Sequence, residues 1–237
     1  MLLMVVWAGI ALCQQKFEED IISTSKGDLK ITLIGHGTLM FTFGGKIIHI
    51  DPVSRVADYS QLPKADLILI THEHGDHLDP DVIERIRTDD TVIILTEKCA
   101  EKVKGGVIMK NGQTKKALGL KIEAIPAYNI IHKQNSGVPF HPKGEGNGYV
   151  ITFGDKRVYV AGDTENTTEM KALKNIDVAF LPMNVPYTMA PEMAADAVRA
   201  FKPKIIYPYH YRGTDTSQLV ELLKDERSVE VRLRKMY

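Results

Sequence analysis

The chain has 237 residues, 44 % apolar and 25 % charged, with 30 basic and 30 acidic side chains. That size and composition fit one globular domain with a sizeable core. The balanced charge argues against the wide basic surface that broad nucleic-acid binding needs, and two cysteines are too few for a disulfide framework.

The first residues, "MLLMVVWAGIALC", are apolar throughout, and "QQKFEED" follows at once. A run of about a dozen apolar residues is too short to span a bilayer and fits the core of a secretory signal peptide. Ala11 and Cys13 suit a cleavage site before Gln14. The expectation is a signal peptide over 1–15 and a working domain over 16–237, hence export to the periplasm or exterior. "IALC" also resembles a lipoprotein cleavage box, which would anchor Cys13 to lipid. The alternative is an apolar strand or helix tucked into the core of a cytoplasmic protein. No transmembrane segment is expected. Cys99, in the polar stretch "EKCAEKVK", is a bystander.

From Leu29 the elements alternate. "LKITLI", "TLMFTF" and "KIIHI" predict three short strands between "GHG" and "GG" turns. "ADLILI" is a buried strand, "PDVIERIR" a helix with Pro80 near its start, "TVIIL" another buried strand and "EKCAEKVK" a short helix. "LKIEAIPA" is a strand that runs into the long loop "YNIIHKQNSGVPFHPKGEGN". "GYVITF" and "KRVYVAG" form a hairpin. Then come helix "TTEMKALK", strand "DVAFLP", helix "APEMAADAVRAF", strand "KIIYPYH", helix "TSQLVELLK" and a final alternating strand, "SVEVRLR". Two sets of strands, each mixed with helices, predict an α/β layered sandwich with helices outside. Several strands run into ligand-type residues: "LILIT" leads to His72, "VYVAG" to Asp163 and "IIYPY" to His210. In such sheets active sites gather where strands end.

The stretch "THEHGDHLDP", Thr71 to Pro80, holds three of the chain's eight histidines within six residues. His72 and His74 alternate, so an extended segment points both one way. Gly75 permits a tight turn that brings Asp76 and His77 round. Imidazoles and a carboxylate are the donor set expected for zinc or a similar divalent metal.

"HEHGDH" matches the H-x-H-x-D-H signature, and the chain resembles the metallo-β-lactamase superfamily. The likeness extends from about Leu29 to Arg212 and takes in "GGKIIHIDP" with Asp51, "YVAGDT" with Asp163 and "PKIIYPYHY" with His210. "LIGHGT", "DVAFLPMNVPYTMAPEMAADA" and "KPKIIYPYHY" most resemble the branch of L-ascorbate-6-phosphate lactonase and its relatives. The resemblance implies a single-domain αββα four-layer sandwich with two divalent ions between the sheets. These would be Zn2+, with Mn2+ or Fe2+ as alternatives. His72 and His74 would hold one ion, Asp76, His77 and His210 the other, and Asp163 would bridge them. A hydroxide activated there would attack a carbonyl or phosphoryl centre of a small substrate, with Asp76 orienting it or moving its proton.

One position departs from that pattern. The third histidine of the first ion falls at Asn129 in "PAYN". His141 folding back from the long loop is the preferred substitute. The alternatives are His132 or a first site with only two histidines, which would leave one ion. Asp51 is expected to orient a histidine through its second N–H. His36 is a contact to substrate or site or else a turn residue, and Tyr211 is a wall residue that could reach substrate. His49 is expected to pack within its strand. The resulting function is a metal-dependent hydrolase of an ester, lactone, amide or phosphodiester. The alternative is a metal-binding protein of the same fold without turnover.

Overall fold

A computed structural model describes residues 15–236. The expected signal peptide thus lies outside the described residues, apart from Gln15. Among the described residues no helix is long and apolar enough to cross a membrane.

The apolar runs of the first half build one seven-stranded sheet. Its strands are β1 (Glu18–Thr24), β2 (Gly27–Gly35), β3 (Thr38–Phe43), β4 (Lys46–Ile50), β5 (Leu67–Leu69), β6 (Val92–Leu95) and β7 (Val107–Ile108). The second half repeats the scheme with β8 (Thr114–Ala117), β9 (Leu120–Ala127), β10 (Gly146–Phe153), β11 (Lys156–Val160), β12 (Val178–Pro182), β13 (Ile205–Tyr209) and β14 (Glu230–Val231). In each sheet the first four strands pair antiparallel and the rest parallel. The parallel connections carry α1 (Pro80–Ile86) and α2 (Glu97–Lys102) in the first half. In the second they carry α3 (Thr168–Lys171), α4 (Pro191–Phe201) and α5 (Ser217–Leu222).

The inner faces of the two sheets share one apolar core. Leu29, Ile31, Phe41 and Ile48 of the first sheet meet Tyr149, Ile151, Phe153 and Phe180 of the second, all fully buried. A separate cluster lies under the first-half helices, where Ile68 and Ile70 pack with Val82, Ile83, Ile86 and Cys99. This is the expected αββα sandwich, held by burial of both sheet faces. His49 points to this outer side, where its Nε2 meets the Pro63 carbonyl oxygen at 3.1 Å.

Three strands were not expected. β1 is mostly exposed, β7 has two exposed residues, and β8 reads "TKKA" with none buried. Edge strands of this kind lack the apolar alternation that marks a half-buried strand. The expected strand "SVEVRLR" is shorter than its pattern, because only Glu230 and Val231 pair with β13. Beyond them the chain crosses to the first sheet. The Arg234 guanidinium donates to Asp20 Oδ1 at 2.9 Å, the Lys235 N–H donates to Glu18 Oε2 at 3.1 Å, and the Met236 carbonyl accepts from the His36 N–H.

Candidate metal centre

Strand ends on one edge of the sandwich deliver the site. β2, β4 and β13 are each followed by a residue with positive φ: His36 (52°), Asp51 (46°) and His210 (46°). Few L-residues adopt that region, and doing so costs strain that the surroundings must hold in place. Here the reversal turns three polar side chains inward. Asp163 follows β11 across Gly162, whose φ is 66°. A Cβ on Gly162 would lie 2.9 Å from the Asn147 carbonyl oxygen, so only glycine fits.

The loop after β5 divides its ligand-type residues into two groups. The N–H groups of His77 and Leu78 both donate to the His74 carbonyl, at 2.9 and 2.8 Å, closing the turn through Gly75. Asp79 faces away and caps α1. Its Oδ1 accepts from the Val82 N–H at 3.2 Å, and its Oδ2 accepts from Ser54 N and Oγ at 3.0 and 2.6 Å. Glu73 also lies outside, 3.5 Å from Lys98 Nζ. His72, His74, Asp76 and His77 form the inner group.

Three of the imidazoles, those of His77, His72 and His141, are oriented from behind. His77 Nδ1 donates to Asp51 Oδ2 at 2.8 Å. Asp51 also accepts from the Thr71 N–H at 2.7 Å and the Thr71 hydroxyl at 2.5 Å. That hydroxyl, its proton committed to Asp51, accepts from His72 Nδ1 at 3.0 Å. His141 Nδ1 donates to Asn129 Oδ1 at 2.8 Å, and its backbone N–H donates to the same oxygen at 2.8 Å. The Asn129 amide nitrogen donates to Glu165 Oε1 at 3.2 Å and to the Tyr187 carbonyl at 2.9 Å, which fixes the oxygen toward His141. In the neutral form of each of these three rings the outward nitrogen carries the proton, which leaves the lone pair on the inward Nε2.

Those inward atoms converge. Asp163 Oδ1 lies 3.3 Å from His77 Nε2. Asp163 Oδ2 lies 3.3 Å from His210 Nε2, 3.4 Å from His141 Nε2 and 4.0 Å from His72 Nε2. Among the described residues, buried side-chain atoms without a hydrogen-bond partner include Nε2 of His72, His77, His141 and His210, together with Asp163 Oδ1. Buried polar atoms are normally satisfied, so this many orphans at one point need a common partner. Their donor atoms fall into three overlapping groups: His72 with His74 and His141; His72 with His77 and Asp163; and His77 with His36, Asp76 and His210. These buried His and Asp clusters fit a binuclear metal site. The structure therefore brings His141, and not His132, to His72 and His74. His132 binds Glu165 instead, with Nδ1 2.7 Å from Oε1.

The charge states suit that donor set. Burial, then the neighbouring His77, pushes the His72 pKa well down. Burial brings His141 to about 4. Both rings are thus neutral, as metal binding requires. Burial would raise the Asp163 pKa, but the imidazoles of His210, His77 and His141 outweigh it and hold the carboxyl well below its usual range. Asp76 is likewise lowered, because the nearby ring of His210 and the hydrogen bond from His36 outweigh its desolvation. His77 is pulled the other way: burial lowers it, but the charge of Asp163 and the bond to Asp51 raise it well above 6.5. The geometry therefore favours positive charge between Asp51 and Asp163, which a cation at Nε2 also supplies.

The remaining expected residues find places too. His36 Nε2 donates to Asp76 Oδ2 at 3.1 Å, and its ring lies 3.8 Å from that of His210. Asn129 orients His141 from behind. The Tyr211 hydroxyl donates to the Arg234 carbonyl at 2.6 Å and accepts from the Met236 N–H at 3.2 Å, so it ties the C-terminal segment to the wall of the cleft. The sequence reading missed Thr71 and Glu165. Glu165 is fully buried, and its carboxylate accepts from the N–H groups of Ile130, Ile131 and His132 at 2.7, 2.7 and 2.8 Å. It anchors the start of the long loop that returns His141. Its position two residues after Asp163 was the available signal.

Residues 30–210 match the family described as the beta-lactamase superfamily domain. The chain belongs to the beta-lactamase superfamily. A UPF0173 metal-dependent hydrolase of Pelotomaculum thermopropionicum is 30 % identical over 220 residues, covering 86 % of this chain and 96 % of that relative. A solved structure from Parabacteroides distasonis, a proposed metal-dependent hydrolase, is 49 % identical with a TM-score of 0.89, covering 94 % of this chain and all of that one. The metallo hydrolase of Ignicoccus hospitalis is 26 % identical with a TM-score of 0.72, covering 88 % of this chain and 95 % of that one. The superfamily membership and the converging donors agree on a metal-dependent hydrolase.

Proposed function

We propose that this protein hydrolyses an ester, lactone, amide or phosphodiester of a small substrate, using two divalent ions. His72, His74 and His141 would hold one ion. Asp76, His77 and His210 would hold the other, with Asp163 between them. The observation that carries this is the convergence of buried, unpartnered Nε2 atoms of His72, His77, His141 and His210 on Asp163. Imidazole nitrogen with carboxylate oxygen favours zinc, while manganese and iron accept the same donors. Ions bound there supply a water of lowered pKa and an electrophile for the substrate oxygen.

The chain's own groups do the rest. Asp51, Thr71 and Asn129 fix the ring orientations before substrate arrives, which saves reorganisation during reaction. Asp76 is the inner carboxylate most open to the cleft, its side chain 28 % exposed against 3 % for Asp163. It is placed to orient the attacking water and receive its proton. His36 holds Asp76 in that pose. The segments "LIGHGT" and "KPKIIYPYHY" favour a lactone or ester, through their likeness to the ascorbate-phosphate lactonase branch.

Replacing Asp76 with Ala tests the reading. The variant should keep its fold by circular dichroism and lose metal-dependent hydrolysis of 4-nitrophenyl esters by roughly a thousandfold, the scale of acid–base plus electrostatic contributions. Unchanged turnover would reject the role of Asp76. Tight metal binding with no turnover in the natural protein would favour the metal-binding alternative.

A further inference from the structure

The centre opens into a cavity of about 430 Å³ lined by His74, Asp76, His141, Asp163 and His210. Two further lining residues are Arg55 and Arg212. A second cavity of about 660 Å³ adjoins the first, and the residues common to both are His36, Arg55 and Arg212. The two arginines therefore stand where the inner cavity meets the outer one.

Neither arginine has a carboxylate of its own among the described residues. Of the chain's nine arginines, five pair with acidic side chains: Arg87, Arg157, Arg199, Arg232 and Arg234. Arg55, Arg85, Arg212 and Arg227 make no such pair among the described residues, and of these four Arg55 and Arg212 line the cavities. The acidic groups in the inner cavity are Asp76 and Asp163, which face the imidazoles. The acidic group in the outer cavity is Asp215, which already accepts from Ser217 N and Oγ at 3.0 and 2.7 Å. Both arginines are carried close to the centre by its own backbone. Arg55 lies four residues after Asp51, and Arg212 two after His210. In a protein with balanced overall charge, two unpaired guanidiniums at the mouth of one cleft are a local excess. Guanidinium forks bind carboxylate and phosphate with directed, charge-assisted hydrogen bonds.

We propose that Arg55 and Arg212 form an anion subsite, and that the substrate carries a carboxylate or phosphate apart from the bond to be cleaved. The anion sits at the junction of the cavities, with the cleaved bond over the imidazole cluster. The remainder of the substrate reaches the outer cavity, beside the hydroxyls of Thr214 and Thr216. The second half of this statement rests on the hydrolase reading, while the anion subsite stands without it.

Calorimetric titration of the metal-bearing protein with inorganic phosphate and, separately, with glutarate tests the subsite. The natural protein should bind at least one, and the tighter of the two identifies the class of anion. The double variant Arg55→Gln/Arg212→Gln should bind it about tenfold or more weakly, with unchanged metal per chain, and the Arg→Lys pair should recover part of the loss. The ratio of kcat/KM for 4-nitrophenyl hemiglutarate over 4-nitrophenyl acetate should fall by a similar factor. Failure of the natural protein to bind either anion, or equal binding by the double variant, would overturn the subsite. Arginine-dependent anion binding without cleavage of either ester would keep the subsite and reject the hydrolase reading.

Discussion

Asp51 and Asp163 occupy matching places in the two halves of the molecule. Each follows the fourth strand of its sheet, each is buried, and each flanks the ring of His77, Asp51 at Nδ1 and Asp163 at Nε2. Their hydrogen bonding differs. Asp51 accepts from Thr71 N, Thr71 Oγ1 and His77 Nδ1, so its charge is met by donors from the protein. Asp163 faces four imidazole Nε2 atoms that, like its own Oδ1, have no hydrogen-bond partner among the described residues. Two carboxylates equal in type, depth and topological position thus do different work. The satisfied one positions an imidazole, and the unsatisfied one offers its oxygens to the cleft where the imidazole nitrogens converge.

The sharpest way to break this contrast is to remove one charge at a time. Asp163→Asn keeps the shape and deletes the bridging charge. Metal content should fall to one ion or none per chain, and hydrolysis should drop by roughly a thousandfold. Retained metal would make Asp163 another Asp51. Asp51→Asn should act through His77 and, by way of Thr71, through His72, weakening metal affinity by about 10- to 100-fold, the usual cost of disturbing an orienting partner. Competition with a chromogenic chelator measures both.

Asn129→Leu applies the same logic to the other ion. It should weaken the ion beside His141 toward the lower end of that range while leaving the ion beside His210 in place, which a two-step chelator titration resolves. Gly37→Ala probes the packing instead. A Cβ there would lie 2.5 Å from His77 Cε1, so the ring must move. The expected cost is roughly 1–3 kcal/mol of stability, read as a lower Tm.

His49 is the control, a buried histidine on the strand that leads to Asp51 but facing the outer layer. His49→Phe should leave metal content unchanged. Burial lowers its pKa to about 4, below the ordinary value near 6.5. The unfolded chain therefore binds its proton first as pH falls, and the stability that neutral His49 contributes is lost between about 6.5 and 4. Acid denaturation of the phenylalanine variant should be less steep across that window.

Much of this was legible in the sequence, and for physical reasons. β3, β4 and β9 coincide with apolar or alternating runs that begin just after a glycine, because burial sets both pattern and strand. The histidines at strand ends were legible because imidazole has little role in forming a turn, whereas Asp51 before Pro52 also suits a turn start. β1 and β8 were not legible, since exposed edge strands draw their register from a neighbour rather than from their own residues. The place of Asn129 was legible only in part. Its number marked a break in the histidine pattern, but its partnership with His141 depends on the long loop folding back over Glu165. Arg55 and Arg212 escaped notice because nothing local marks an unpaired arginine. Only the fold shows which arginines lack carboxylates and which of them face the cleft.

The central claim is that the imidazoles gathered on Asp163 hold two ions. Elemental analysis of the natural protein, purified without added metal or chelator, tests it directly. The account predicts about two divalent ions per chain, the stoichiometry of a site of this donor set, both released by a chelator without unfolding. A natively folded protein that binds none, even after incubation with zinc, manganese or iron(II), would contradict it.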